Sequence, residues 1–126
     1  MARELTREEC IAFENKNFER MDLSGIDLSE MNLWRVNFKG ANLAGANLSN
    51  TYLTEANFNE ANLEKADLSG AILARAILKG ANLKNAKLID TDLGCADLSR
   101  ADFTEADISG ANLIKTKIEG SIGLSS

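Results

Sequence analysis

The chain has 126 residues, about one domain, with a net charge of -5 and neither His nor Pro. Because His is the usual proton shuttle near neutral pH and the commonest metal-ligand side chain, its absence excludes His-containing catalytic triads, zinc sites that use His and His-ligated haem. The negative charge argues against a general nucleic-acid binder, which presents a basic patch. We therefore expect no catalytic residues, no cofactor, no metal site and no direct nucleic-acid binding.

The first ten residues favour a short N-terminal cap. Residues 1–9 include five charged side chains and no apolar stretch, so no secretory signal is predicted. No apolar run in the chain is long enough to cross a bilayer, and we expect a cytoplasmic protein without membrane contact. Thr6 and Glu9 have the spacing of a capping box, which predicts a short helix or irregular plug over the first coil.

A period of five residues then fills the chain. From Phe13 to Ile118 every fifth residue is Leu, Phe or Ile, and from Ala41 to Thr116 the residue two places earlier is always Ala or Thr. We number each repeat from 1 to 5, with the small residue at position 1 and the large residue at position 3. Position 2 is Asn or Asp except at Ala12, Tyr52, Ile72, Ile77, Lys87 and Lys117.

This period fits neither regular element. On a helix the large residues would rotate by about 140° per repeat and cover every side. On a continuous strand an odd period would alternate them between the two faces. The pattern instead predicts a chain that turns a corner in every repeat, with positions 1 and 3 inward, position 2 outward, and the corner at positions 4 and 5.

The repeats 41–45, 66–70 and 96–100, which read ANLAG, ADLSG and ADLSR, resemble the A(D/N)LXX signature of pentapeptide repeat proteins. The resemblance implies an all-β solenoid, a right-handed quadrilateral β-helix of about 5.5 coils in which residues n and n+20 are stacked. It divides the chain into an N-terminal cap at 1–10, a pentapeptide-repeat β-helix at 11–120 and a C-terminal tail at 121–126.

Stacking in rows of 20 predicts what the core and the corners contain. Phe18, Phe38 and Phe58 share one inward column and should form a stack of rings. Position 1 is large in the first coil, at Ile11, Lys16, Met21, Ile26 and Met31. We therefore expect that coil to be wider or irregular. Cys10 and Cys95 lie about four coils apart, too far for a disulfide, and Cys95 should be exposed at a corner.

Apolar residues on the outside mark a candidate protein-contact surface. Tyr52 and Ile72 replace the outward Asn or Asp on one wall, one coil apart. The candidate surface consists of Trp34, Tyr52, Ile72, Ala74, Ile77 and Ile114. Such a strip marks an interaction site more often than the rest of a repeat surface. The competing interpretation is scattered surface apolarity, which needs no explanation.

Charged residues form two belts. The acidic belt runs from Asp90 to Asp107, and its consecutive Asp residues point out of different walls, which favours a solvated surface over a metal site. The basic belt beneath it consists of Arg75, Lys79, Lys84 and Lys87.

The last coil is a candidate for contact between two copies. Leu113 and Ile118 have only a short tail to cover them, and a stack of paired backbone segments leaves unpaired N–H and C=O groups at its end. A weak end-to-end homodimer is therefore predicted. The alternative is a tail at 121–126 that folds back over the coil and keeps the protein monomeric.

Two functions are compatible with this pattern. The first is a non-catalytic protein-interaction or scaffold protein whose partner the sequence does not identify. The second follows from the resemblance, since some pentapeptide repeat proteins resemble a DNA duplex and protect gyrase from quinolones. It would make this chain a DNA-mimic modulator of a type II topoisomerase. An enzyme is disfavoured because nothing converges into a pocket and a filled coil has no room for one.

Overall fold

The computed structural model describes residues 5–11 and 16–124, and it consists of one helical turn followed by a stack of four-sided coils. Helix α1 spans Arg7–Ile11. From Asn17 to Ile122 every fifth residue forms an isolated parallel β-bridge with the residue 20 places away, as Asn42 does with Asp22 and Asn62. Twenty residues are four repeats, so each coil has four walls. The step of 20 confirms the stacking expected from the resemblance.

Backbone hydrogen bonds explain why the five positions differ. In repeat 41–45 the N–H groups of positions 2, 3 and 5 donate to neighbouring coils, and that of position 1 closes the preceding turn, all at 2.7–2.9 Å. The N–H of position 4, Ala44, donates instead to Oδ1 of Asn42 at 3.1 Å. The Asn or Asp at position 2 therefore completes the set of five donors, and a backbone donor left without an acceptor is unfavourable.

Positions 1 and 3 fill the coil. From Ala41 to Ala101 the residues at position 1 are buried, and so are the Leu and Phe residues at position 3 from Phe18 to Phe103. The predicted ring stack is confirmed, because the Phe38 ring lies 5.5 Å from that of Phe18 and 5.3 Å from that of Phe58. The interior is continuous from coil to coil, as a stacked repeat requires.

The corners hold a backbone conformation that side chains normally avoid. Every position 5 from Arg20 to Gly120 has a positive φ, for example 60° at Glu60 and 71° at Gly70. A positive φ at the third residue of a turn is the requirement of type II turns, and it is unfavourable for residues with a Cβ. Gly70 has a second reason to be Gly, since a Cβ there would meet Oδ1 of Asn50.

Helix α1 begins with the predicted capping box. Thr6 Oγ1 accepts from the N–H of Glu9 at 3.1 Å, and Glu9 Oε1 accepts from the N–H of Thr6 at 3.0 Å. The helix ends at Ile11, the residue at which the β-helix was expected to begin, and Ile11 is exposed instead of pointing inward. The first members of two repeat columns, Ala12 and Phe13, lie outside the described residues.

Arg7 joins α1 to the edge of the first coil. Its guanidinium donates to the carbonyl of Asp27 at 2.9 Å and to that of Ser29 at 2.8 Å. In later coils the corresponding carbonyls accept hydrogen bonds from N–H groups of the preceding coil. Arg7 therefore replaces two donors that a preceding coil would supply, and Cys10, one turn further on, is buried against the core.

The first coil keeps the register of the later coils despite its large position 1 residues. Its bridges to the second coil are in place, including the one between Asn17 and Asn37. The turn hydrogen bond at Met31 is 3.4 Å long, compared with 2.9 Å at Ala41, but that at Thr116 in a later coil is also 3.4 Å long. The described part of the first coil therefore does not show the irregularity that its large position 1 residues led us to expect.

Candidate protein-contact surface

One wall of the coil carries five of the six candidate contact residues. This wall, called the apolar wall below, is formed by residues 31–35, 51–55, 71–75, 91–95 and 111–115. Its candidate residues are Trp34, Tyr52, Ile72, Ala74 and Ile114. Tyr52 and Ile72 are bridged to each other and are 41% and 42% exposed. Ile77 lies on the next wall, between Asn57 and Asp97. The structure therefore brings five of the six together and places Ile77 around a corner.

Two residues of the apolar wall leave backbone donors without an acceptor. Elsewhere on this wall the Asn or Asp at position 2 accepts from position 4, as Asn32 Oδ1 accepts from the N–H of Trp34 at 3.2 Å. Tyr52 and Ile72 have no side-chain atom that does this. Within residues 16–124, no acceptor lies within hydrogen-bond distance of the N–H groups of Thr54 and Ala74, the position 4 residues of these two repeats. Folding alone would favour Asn or Asp at both sites.

Trp34, at the lower end of the apolar wall, is in contact with the side chain of Arg35. The Arg35 guanidinium lies 4.5 Å from the centre of the Trp34 ring, a cation–π contact. Arg35 Nε also donates to Glu55 Oε1 at 2.7 Å. Sequence reasoning did not include Arg35 in the surface, although its place next to Trp34 and one coil below Glu55 was visible in the columns.

The two edges of the apolar wall have opposite charge. The edge that precedes each repeat of the wall consists of Glu30, Asn50, Gly70, Asp90 and Gly110. The edge that follows consists of Arg35, Glu55, Arg75, Cys95 and Lys115. The first edge has two carboxylates and no cation, and the second has three cations, with Glu55 paired to Arg35. An apolar strip therefore lies between an acidic and a basic edge.

A hollow of 350 Å³ lies in the upper part of the wall. It forms where Gly94 at position 4 has no side chain, between Ala74 below and Ile114 above, and Arg75 and Lys115 stand at its rim. It opens to solvent, which suits a shallow contact with a partner surface. A hollow of 490 Å³ on another corner is lined by Lys79, Ser99, Arg100, Glu119 and Gly120.

The acidic belt is made of separate local hydrogen-bond systems. Asp97, Asp102 and Asp107 each accept, at 3.0 Å, from the N–H two residues further on. Hydrogen bonds from the hydroxyl and N–H of that residue, Ser or Thr, hold the pKa of each carboxyl below its usual value. In the described part of the chain, no group of three or more Cys, Asp or Glu residues is placed to hold a metal ion.

The lowered pKa values of Asp97, Asp102 and Asp107 predict that the folded protein loses stability in acid. Their pKa values are lower in the folded chain than the ordinary 3.8. The stabilisation is therefore complete above about pH 4 and is lost as pH falls through the lower folded values. We expect Asp102→Asn, whose Oδ1 still accepts from Thr104, to lose less stability than wild type between pH 5 and pH 2. Thermal melts across this range measure it, and an identical loss in both proteins would contradict the assignment.

The two thiols are predicted to differ in reactivity. Both cysteines are free; Cys95 is exposed, as expected, and Cys10 is buried. Burial is the main cause that raises the pKa of the Cys10 thiol, with Glu9 adding to it. A thiol reagent at neutral pH should therefore label Cys95 fast and Cys10 only on unfolding. Cys95→Ser should remove the fast phase, and persistence of that phase would show that Cys10 is accessible.

The four-walled stack of bridged repeats defines this protein as a β-solenoid. The family model "Pentapeptide repeats (8 copies)" matches residues 22–59, 51–88 and 81–120, and the chain belongs to this family. No curated protein matches the chain. No helix within the described residues has both the length and the apolar character needed to cross a membrane.

Solved structures of the family share the fold. The chain is similar to Rfr23, a pentapeptide repeat protein from the cyanobacterium Cyanothece 51142, at 28% identity and a TM-score of 0.84, over 86% of this chain and 87% of that one. It is similar to a pentapeptide repeat protein of the Arabidopsis thaliana thylakoid lumen, at 36% identity and a TM-score of 0.73, over 75% of this chain and 66% of that one. It is also similar to HetL, a pentapeptide repeat protein of Nostoc sp. strain PCC 7120, at 34% identity and a TM-score of 0.56, over 86% of this chain and 49% of that one. The predicted right-handed quadrilateral β-helix is confirmed.

Proposed function

We propose that this protein is a non-catalytic protein-interaction or scaffold module whose apolar wall, with Ile77 beside it, binds a protein partner. The observation that carries the proposal is the identity of the residues at position 2. Tyr52, Ile72 and Ile77 each replace the side chain that closes the hydrogen-bond set of its repeat, and each exposes apolar area instead. Three such replacements in neighbouring repeats are explained by a contact surface better than by folding.

The chemistry of the repeats supports a non-catalytic role. The chain has no His. Several hydroxyl groups donate inside their own repeats, as Ser29 Oγ donates to Asp27 Oδ1 at 2.7 Å and Ser49 Oγ to Asn47 Oδ1 at 2.7 Å. The amide of Asn47 is not a base, and the hydrogen bonds from Ser29 lower the pKa of Asp27, which makes its carboxylate a weak base for activating a nucleophile. The net charge of -5 supports a protein partner over a nucleic acid.

The test compares two substitutions that each supply the missing side-chain acceptor to a position 4 N–H group. Ile72→Asn supplies the missing acceptor to Ala74 on the apolar wall, and Lys87→Asn supplies it to Ile89 on another wall. Both variants should remain folded. Capture from lysate of the source cell should recover a protein that wild type and Lys87→Asn bind and Ile72→Asn does not. Equal capture by all three would refute the contact surface.

The alternative function, a DNA-mimic modulator of a type II topoisomerase, requires an acidic surface. The basic belt, exposed at Lys79, Lys84 and Lys87, interrupts that surface, and therefore we prefer the protein-contact function. A gyrase supercoiling assay decides between them. No effect at micromolar excess of the protein would remove the alternative, and inhibition or protection from quinolones would establish it.

End-to-end association of two copies stays a prediction about the last coil. Leu113 is half-buried there and Ile118 is 53% exposed. In sedimentation experiments an end-to-end homodimer should be lost in Ile118→Lys. A wild-type protein that stays monomeric would reject it.

We also propose a cytoplasmic location, which two free thiols support because reducing compartments preserve them. One solved relative comes from the thylakoid lumen, so cell fractionation is the direct test. Recovery with a membrane-enclosed compartment would refute the proposal.

A further inference from the structure

We infer that the partner of the apolar wall is a second copy of this chain, bound side by side with both solenoids running in the same direction. This inference rests on the proposed function and names its partner. It is distinct from the end-to-end contact of the last coil, because it uses the side of the solenoid and leaves both ends free.

Charge determines the direction. Suppose that two identical walls face each other across a two-fold axis parallel to the solenoid. The acidic edge of one copy, at Glu30 and Asp90, then meets the basic edge of the other copy, at Arg35, Arg75 and Lys115, at the same height. Glu30 then faces Arg35 of the second copy. Asp90 faces Cys95, with Arg75 and Lys115 of the second copy one coil below and above. In the antiparallel arrangement the basic edges would meet each other, and the repulsion between like charges disfavours that contact. The wall is thus self-complementary in one orientation.

The exposed apolar side chains support the same arrangement. Positions 4 and 5 of each repeat form the corner, so position 2 lies at the middle of the straight part of the wall. A two-fold axis through this middle places the position 2 columns of the two copies against each other at the same height. Tyr52 and Ile72 of one copy then face the same residues of the second copy, and the apolar area that they expose is buried in the contact.

The size of the wall predicts weak binding. Five coils at about 4.8 Å give a wall on the order of 24 Å tall. One wall of this height buries less than the roughly 800 Å² per partner of a standard stable interface. We therefore expect a dissociation constant in the high micromolar range, and a dimer that forms at high protein concentration and weakens with salt.

Sedimentation equilibrium up to about 1 mM tests the contact with matched variants. Wild type and Lys87→Asn should show the same monomer–dimer equilibrium, and Ile72→Asn should shift its midpoint at least tenfold towards monomer. Thermal melts confirm that each variant is folded. A wild type that is monomeric throughout, or a dimer that Ile72→Asn leaves unchanged, overturns the inference. Loss of the dimer in Ile118→Lys alone assigns the contact to the last coil.

Disulfide trapping tests the direction. Asp90→Cys places a thiol opposite Cys95 of the second copy at two symmetrical sites, so mild oxidation should yield a covalent dimer on a non-reducing gel. Asn85→Cys is the control, since Asn85 has a similar exposed, positive-φ corner position but does not border the apolar wall. Cross-linking of Asn85→Cys to the same extent, or no cross-linking of Asp90→Cys, overturns the parallel arrangement.

Failure of this inference is distinguishable from failure of the proposed function. A chain that is monomeric in sedimentation but captures a protein through Ile72 retains the contact surface and loses only the second copy as its partner. A chain that is monomeric and captures nothing through Ile72 loses both.

Discussion

Replacing Ala66 with Leu should destabilise the protein far more than replacing Ser69 with Leu, although the two sites are three residues apart. Ala66 is at position 1 and fully buried, whereas Ser69 at position 4 faces solvent in part. A larger residue inside a closed coil displaces backbone that is bonded to the coils on both sides, so we expect Ala66→Leu to cost about 1–3 kcal/mol or more. Ser69→Leu should stay within about 0.5 kcal/mol.

Chemical denaturation of both variants measures the difference. The two substitutions add the same kind of apolar side chain, so composition and unfolded-state effects are closely matched. Equal losses would mean that position 1 tolerates volume as the surface does. The four-walled packing described above would then be wrong.

The second large effect is expected at Phe38. Its ring is buried between those of Phe18 and Phe58, and Phe38→Ala should destabilise the protein by about 3–5 kcal/mol because the cavity cannot collapse within a bonded coil. Phe38→Leu should cost much less, since Leu78 and Leu98 occupy the same column two and three coils further on. Unfolding free energies of the two variants test this column. Similar losses would show that the ring contacts, and not the filled volume, hold these coils together.

The spacing of residue types by itself determined which side chains are inside. The period of five excludes a helix and a continuous strand, and the difference between positions 1, 2 and 3 identifies the inward and outward columns without any structure. Both the inward position of Phe38 and the outward positions of Tyr52 and Ile72 could be assigned in this way, because each depends only on the position of a residue within its own repeat. The capping box at Thr6 was readable for the same reason.

Only the tertiary structure decided what depends on residues in different coils. The period of five does not define the number of walls, and the bridges with a step of 20 do. The bonds from Arg7 to Asp27 and Ser29, the stacking of Arg35 on Trp34 and the opposite charge of the two wall edges were not predicted. A repeat pattern states which way a side chain points relative to its own backbone. Which distant residues share a surface depends on how the coils close and stack, and that is a property of the whole chain.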